Sequence, residues 1–219
     1  LRCERNALPL RHATPISPCD IISKGINCTS MVKKIFQFFL DSIQALVLAL
    51  SVFVLLYLFV AQPNQVHGHS MEPNFHDKEF LLTEKITYKR RDPKRGDVVV
   101  FKAPPSEPCA ENQCEYIKRI IGLPGEIVKI ENGDIYVNGN LLNESYLASD
   151  LETRPGSYLR TGRPLIVPQG EYLLMGDNRP HSRDGREFGP TPVEDIVGRA
   201  FFRYWPTDRL GLIEHAEFN

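Results

Sequence analysis

The chain has 219 residues, a formal net charge of −1 and 42% hydrophobic residues. That size and polarity fit one globular domain with an appendage. The balance of 26 basic against 27 acidic side chains excludes the basic surplus that a nucleic-acid-binding surface needs, so no nucleic-acid partner is expected.

Residues 1–30 carry neither helical nor strand periodicity and hold Cys3, Cys19 and Cys28. They read either as an unstructured tail or as translated sequence upstream of a start at Met31, and the second reading is preferred. Asn27-Cys28-Thr29 fits a glycosylation sequon, but the topology expected below puts it on the wrong side of the membrane for that modification. Residues 31–41, opening with Met31-Val32-Lys33-Lys34, form a lead-in at the cytoplasmic interface, and residues 42–61 contain no charged side chain. At about 1.5 Å per residue such a run crosses a hydrocarbon core of roughly 30 Å as a transmembrane helix, in contact with the lipid bilayer. A cleaved secretory signal is the competing reading, but its apolar region of about 7–15 residues is shorter than this one. Lys33 and Lys34 precede the span, and the first basic residue after it is Lys78. The positive-inside rule then keeps the N-terminus cytoplasmic and exports residues 62–219, giving a single-pass protein of the plasma membrane.

Shortly after the span comes His67-Gly68-His69-Ser70-Met71-Glu72-Pro73-Asn74, a loop by its small residues and proline. At ~3.3 Å per extended residue, Ser70 stays within about 30 Å of the span. From Glu79 onward, β-branched and aromatic runs predict strands at residues 80–82, 97–101, 116–121, 127–130, 135–137, 165–167, 172–175 and 196–205. Asn132-Gly133 and Asn138-Gly139 are hairpin dipeptides that tolerate positive φ. No stretch after the span holds a long 3.6-residue period. The expectation is therefore an all-β, antiparallel domain behind one N-terminal transmembrane helix.

Cys109 and Cys114 flank a short segment beside the Pro-rich stretch at 103–108. A small disulfide loop is favoured on the exported side, with free thiols next, and zinc last because no second cysteine pair completes a site. His67, His69 and His76 read as exposed loop residues in preference to metal ligands. In a strand at 116–121, Lys118 shares a face with Tyr116 and Ile120, while Arg119 points the other way with Ile117 and Ile121. A lysine among apolar neighbours is a candidate for desolvation, which lowers its pKa and lets a neutral amine take a serine proton. The competing reading is a lysine that snorkels from an edge strand to water.

Four stretches occur in order: Ser70-Met71-Glu72-Pro73, Arg95-Gly96-Asp97-Val98-Val99, Tyr116 to Gly125, and Gly176-Asp177-Asn178-Arg179-Pro180-His181-Ser182-Arg183-Asp184-Gly185-Arg186. Together they resemble the ordered boxes of bacterial type I signal peptidases, membrane-bound serine endopeptidases that remove signal peptides from exported preproteins. The resemblance covers residues from about Met31 to Trp205. It implies the antiparallel β fold shared by signal peptidases and LexA-type repressors. It also implies Ser70 as nucleophile, Lys118 as general base, Ser182 as the residue orienting that lysine, and Asp177, Asp184, Arg186 and Arg119 as a supporting charge network. Met71, Tyr116 and Ile117 are expected to floor pockets for small side chains at −1 and −3 of the cleavage site. No metal or organic cofactor is expected, and the enzyme is expected to be a monomer. Histidine stands at the base position in the endoplasmic-reticulum relatives, so Lys118 points to the bacterial type.

Several positions depart from the family pattern. Gly68 stands where a hydroxyl that helps bind the oxyanion is common, which leaves that role to backbone N–H groups such as that of Ser70. Asn74 replaces a common threonine, Glu126 a common aspartate and Gly185 a common serine, the last loosening the box around Ser182. Two rivals remain: a LexA-type self-cleaving repressor, opposed by the span and the lack of a helix-turn-helix pattern, and a membrane-anchored β domain that binds extended peptides without cutting them.

Overall fold

The computed structural model describes residues 28–107, 115–148, 151–216 and 218. Cys109 and Cys114, and all of residues 1–27, lie outside the described residues. Helix α1 (Cys28–Phe59) contains an apolar segment, Met31–Phe59, with a mean hydropathy of 2.4. Its side chains from Met31 to Phe59 are exposed all round, as suits a helix solvated by lipid. The helix begins before the span expected at 42–61 and ends earlier, because Ala61 already belongs to the first strand.

That strand, β1 (Ala61–Gln65), pairs antiparallel with β2 (Phe80–Glu84). The main sheet is completed by β3 (Val98–Lys102), β4 (Glu115–Gly122), β9 (Glu171–Met175), β10 (Thr191–Pro192), β11 (Ile196–Trp205) and β12 (Gly211–Leu212). Its strand order is β1-β2-β11-β3-β4-β9-β10, with β12 paired to β11. A smaller sheet, ordered β7-β6-β5-β8, holds β5 (Ile127–Glu131), β6 (Asp134–Val137), β7 (Asn140–Leu141) and β8 (Leu165–Ile166). Both Asn-Gly pairs have positive φ at each residue, 53° and 86° at Asn132-Gly133 and 51° and 83° at Asn138-Gly139, and both turn antiparallel hairpins. The only α-helix beyond α1 among the described residues is α2 (Gly185–Phe188), one turn long.

All eight strands expected from sequence are present, with small shifts at their ends. The central strands are apolar on both faces. Val98 packs with Val66, Met71, Phe75 and Leu81 on one side, whereas Val99 and Phe101 pack with Ile120, Tyr172 and Leu174 on the other. A strand covered on both sides reads as a continuous apolar run, which explains Val98-Val99-Val100-Phe101. It also decides the fate of the two cations on neighbouring β4. Lys118 and Arg119 point to opposite faces, yet they are only 3% and 2% exposed.

Candidate active site

Register fixes where Lys118 goes. It sits opposite Val99 of β3, in the half of β4 (Glu115–Lys118) that pairs with β3 alone, before pairing with β9 starts at Arg119. Its outer edge therefore borders a groove of about 950 Å³, walled on the far side by β1 and the loop running to Ser70. Lys118 Nζ donates to Ser70 Oγ at 2.7 Å and to its neighbour's carbonyl, Ile117 O, at 2.9 Å. Burial pushes the lysine pKa from the ordinary 10.5 down to about 8, against the pull of the Asp184 and Asp177 carboxylates. The snorkelling alternative does not hold, because the ammonium position is inside.

The loop bearing Ser70 is clamped from two directions. Asn178 N–H donates to Ser70 O at 3.0 Å, and Asn178 Nδ2 donates to His69 O at 2.8 Å. Gly176 lies so close beneath that a Cβ there would stand 2.2 Å from Ser182 Oγ and 2.4 Å from Ser70 O. On the other side, Asn74 Nδ2 donates to Asp177 Oδ2 at 2.8 Å and to Tyr146 O at 3.0 Å. Neither Asn74 nor Asn178 had a role by sequence. Asn178 was at least visible within the box that holds Asp177, whereas Asn74 carried no signal beyond its departure from threonine.

The charge network expected around the lysine is present. Arg119 meets Asp177 through Nε at 2.9 Å and Nη2 at 2.7 Å, with both side chains buried, and its guanidinium lies 4.1 Å from the Tyr146 ring centroid. Asp184 caps α2, accepting from Arg186 N–H at 3.1 Å and from Arg186 Nε at 2.8 Å, and it also accepts from Gly176 N–H at 2.9 Å. Burial acts to raise the Asp184 pKa, but the Arg186 guanidinium and the Gly176 amide outweigh it and hold the carboxyl below its usual range. Gly185 leaves no gap, since a Cβ there would meet Leu173 Cδ1 and Leu174 O at 2.8 Å. The packing itself excludes serine, and the box is tight around Ser182.

Two site expectations, for Ser182 and Met71, come out differently. Ser182 Oγ is buried and makes no well-formed hydrogen bond, so it does not hold Lys118 in this state; it still lies near enough to Asp184 to help keep that acid ionised. Met71 is 1% exposed in the cluster beneath the groove and does not line it, whereas Tyr116 and Ile117 do, joined by His181 and Arg183, which sequence reasoning had not assigned to it. Gly68 N–H is already committed to Asp77 Oδ1 at 2.9 Å, and its φ of 83° is a conformation that a serine or threonine adopts only with strain. The Ser70 N–H, in contrast, donates to no acceptor among the described residues. His67, His69 and His76 are exposed, and no group of three metal-ligating side chains occurs among the described residues.

An amine held out of water against a serine hydroxyl, on the wall of an open groove, defines the class of serine hydrolases that use lysine where others use histidine. Residues 39–205 match the family described as "Signal peptidase, peptidase S26". "Probable signal peptidase I-2" of Synechocystis sp. is 41% identical over 155 residues, covering 71% of this chain and 68% of that protein. "Signal peptidase IB" of Staphylococcus aureus is 36% identical over 169 residues, covering 70% of this chain and 84% of that protein. The crystal structure of a signal peptidase I from Enterococcus faecalis V583 aligns with 30% identity and a TM-score of 0.40, covering 50% of this chain and 97% of that one. The chain belongs to the signal peptidase family, peptidase S26.

Proposed function

We propose that this protein cuts signal peptides from exported preproteins, with Ser70 as nucleophile and Lys118 as general base. The observation that carries the reading is the 2.7 Å contact between Lys118 Nζ and Ser70 Oγ at a lysine only 3% exposed. With its pKa near 8, a usable fraction of the amine is neutral at physiological pH, and its lone pair can accept the Ser70 proton as Oγ attacks the scissile carbonyl. The resulting ammonium has three hydrogens to place. Ile117 O takes one, the departing amine receives another, and Ser182, whose buried Oγ makes no well-formed hydrogen bond, is assigned the third. Lys118, neutral again, then activates the water that releases the acyl-enzyme.

The oxyanion is assigned to the Ser70 N–H, with no contribution from Gly68. The preprotein binds as an added strand on the outer edge of Glu115–Lys118, facing β1 across the groove, and presents its backbone to unpaired groups of β4. Tyr116 and Ile117 border the subsites for small residues at −1 and −3. The N-terminus is cytoplasmic and residues beyond Phe59 are exported, so the groove opens where a translocated chain emerges; one copy of the chain carries the complete site. The non-cutting binding domain is disfavoured by the lysine, whose burial without a catalytic use carries a desolvation cost.

The test is processing of a preprotein by the full chain in detergent micelles. The parent is expected to release mature protein cut after a small residue. Ser70→Ala and Lys118→Ala are each expected to lower the rate by at least a thousandfold while leaving the fold intact by circular dichroism. Cleavage retained in either variant would remove the dyad assignment.

A further inference from the structure

Between Glu84 and Asp97 the chain carries six basic residues, Lys85, Lys89, Arg90, Arg91, Lys94 and Arg95, although its overall net charge is −1. Their nearest acids are largely committed elsewhere. Glu84 accepts the Ile86 and Thr87 N–H groups at 3.2 and 3.0 Å and faces Arg199. Asp97 is buried and takes Arg91 at 3.0 Å, while Arg95 is paired with Glu126. Lys85, Lys89, Arg90 and Lys94 have no carboxylate partner among the described residues, and the one remaining acid of the stretch is Asp92.

The fold returns the first two of these cations, Lys85 and Lys89, to the end of the apolar helix. Lys85 N–H donates to Val60 O at 2.9 Å, one residue past the last residue of α1. Lys85 Nζ lies 5.9 Å from the Tyr57 ring centroid, and Lys89 Nζ lies 5.8 Å from that of Phe59. Counted along the chain, Lys85 is 26 positions beyond Phe59 (85 − 59), too far for the usual census of charges flanking a span. In space it lies beside the last turn. Cations resting on interfacial aromatic rings sit at the depth of lipid phosphates.

We propose that Lys85, Lys89, Arg90 and Lys94 form a binding surface for the headgroups of anionic lipids in the leaflet where α1 ends. Each such cation near a charged bilayer contributes an attraction worth about fivefold in partitioning, weakened by salt. The surface holds the β1–β2 hairpin down. Because β1 leads directly into the Ser70 loop, lipid binding also steadies one wall of the groove. The inference rests on α1 being a bilayer span, but not on the chemistry at Ser70.

The experiment reconstitutes the full chain in phosphatidylcholine vesicles containing spin-labelled phosphatidylglycerol and measures the label immobilised by protein. The parent is compared with Lys85→Gln/Lys89→Gln/Arg90→Gln/Lys94→Gln; Lys33 and Lys34, at the other end of the helix, are present in both. Selectivity for phosphatidylglycerol over phosphatidylcholine is expected to fall by about fivefold or more in the variant, and to weaken in the parent at high salt. Equal selectivity in parent and variant would overturn the proposal. So would loss of the parent's selectivity on adding inorganic phosphate at constant ionic strength, which would mark a site for free anions. Resistance of the protein to carbonate extraction from the same vesicles tests the span separately, and preprotein processing in phosphatidylcholine alone checks that the variant is folded.

Discussion

Replacing Lys118 with methionine should abolish processing and yet make the protein more stable at neutral pH. The lysine's folded pKa of about 8 lies below its ordinary value of 10.5, so the unfolded chain binds the additional proton between these two pH values. Burial of the ammonium therefore costs stability fully below pH 8, and that cost fades as pH rises toward 10.5. At ~1.4 kcal/mol per pKa unit, it amounts to about 3 kcal/mol. Methionine fills a similar volume without charge, but it forfeits the bonds to Ser70 Oγ and Ile117 O, at about 1 kcal/mol each. A net gain on the order of 1 kcal/mol remains at pH 7. The assay is urea denaturation in nonionic detergent, read from the fluorescence of the single tryptophan, Trp205. The advantage of the variant over the parent should shrink by about 2 kcal/mol between pH 7 and pH 10. A stability difference independent of pH over that range would refute the reasoning, because it would mean that the lysine is not held against its charge.

The same pKa sets the rate profile: kcat/KM for a preprotein should rise about tenfold from pH 7 to pH 9 and level off above pH 8 to 9, as the neutral amine fills; a flat profile would exclude Lys118 as the base. Gly176→Ala should lower kcat by more than tenfold, because the added methyl would displace Ser70 O and Ser182 Oγ; single-turnover kinetics, with the thermal midpoint measured alongside, separate this from general unfolding. Asp177→Ala leaves Arg119 buried without its partner and should destabilise the domain by about 3–5 kcal/mol, measured by the same urea titration.

Much of the site was legible because its chemistry is carried by short runs with strict geometry. Strand alternation set Lys118 and Arg119 on opposite faces, and the Asp177 box supplied the second charge of a buried pair. The residues that escaped notice do their work through backbone contacts. Asn178 and Gly176 hold the serine by a peptide N–H and by the absence of a side chain, features that a residue type alone does not announce. Strand β1 was also missed: Pro63 and the polar Gln62, Asn64 and Gln65 look like a linker, and they form a strand only at a sheet edge, where a missing N–H can be tolerated. The family resemblance puts Met71 on the groove floor; the turn after the serine instead sends it down into the core formed with Phe75 and Leu81. Burial on both sides of β4 could not be read from its own sequence, since it depends on what the two faces meet.

Asn74 ties the serine loop to residues from the far end of the domain. Its carbonyl accepts Arg203 Nη2 at 2.7 Å and Arg209 Nη2 at 3.0 Å, from residues 129 and 135 positions further along the chain. Its amide meanwhile grips Asp177. A chain ending at Lys118 would thus hold both groups of the proposed dyad and none of the side chains, Asp177, Arg203 and Arg209, that fix Asn74 close to them. The aim of the serine loop is therefore a property of nearly the whole domain, complete only with residues as far along as Arg209.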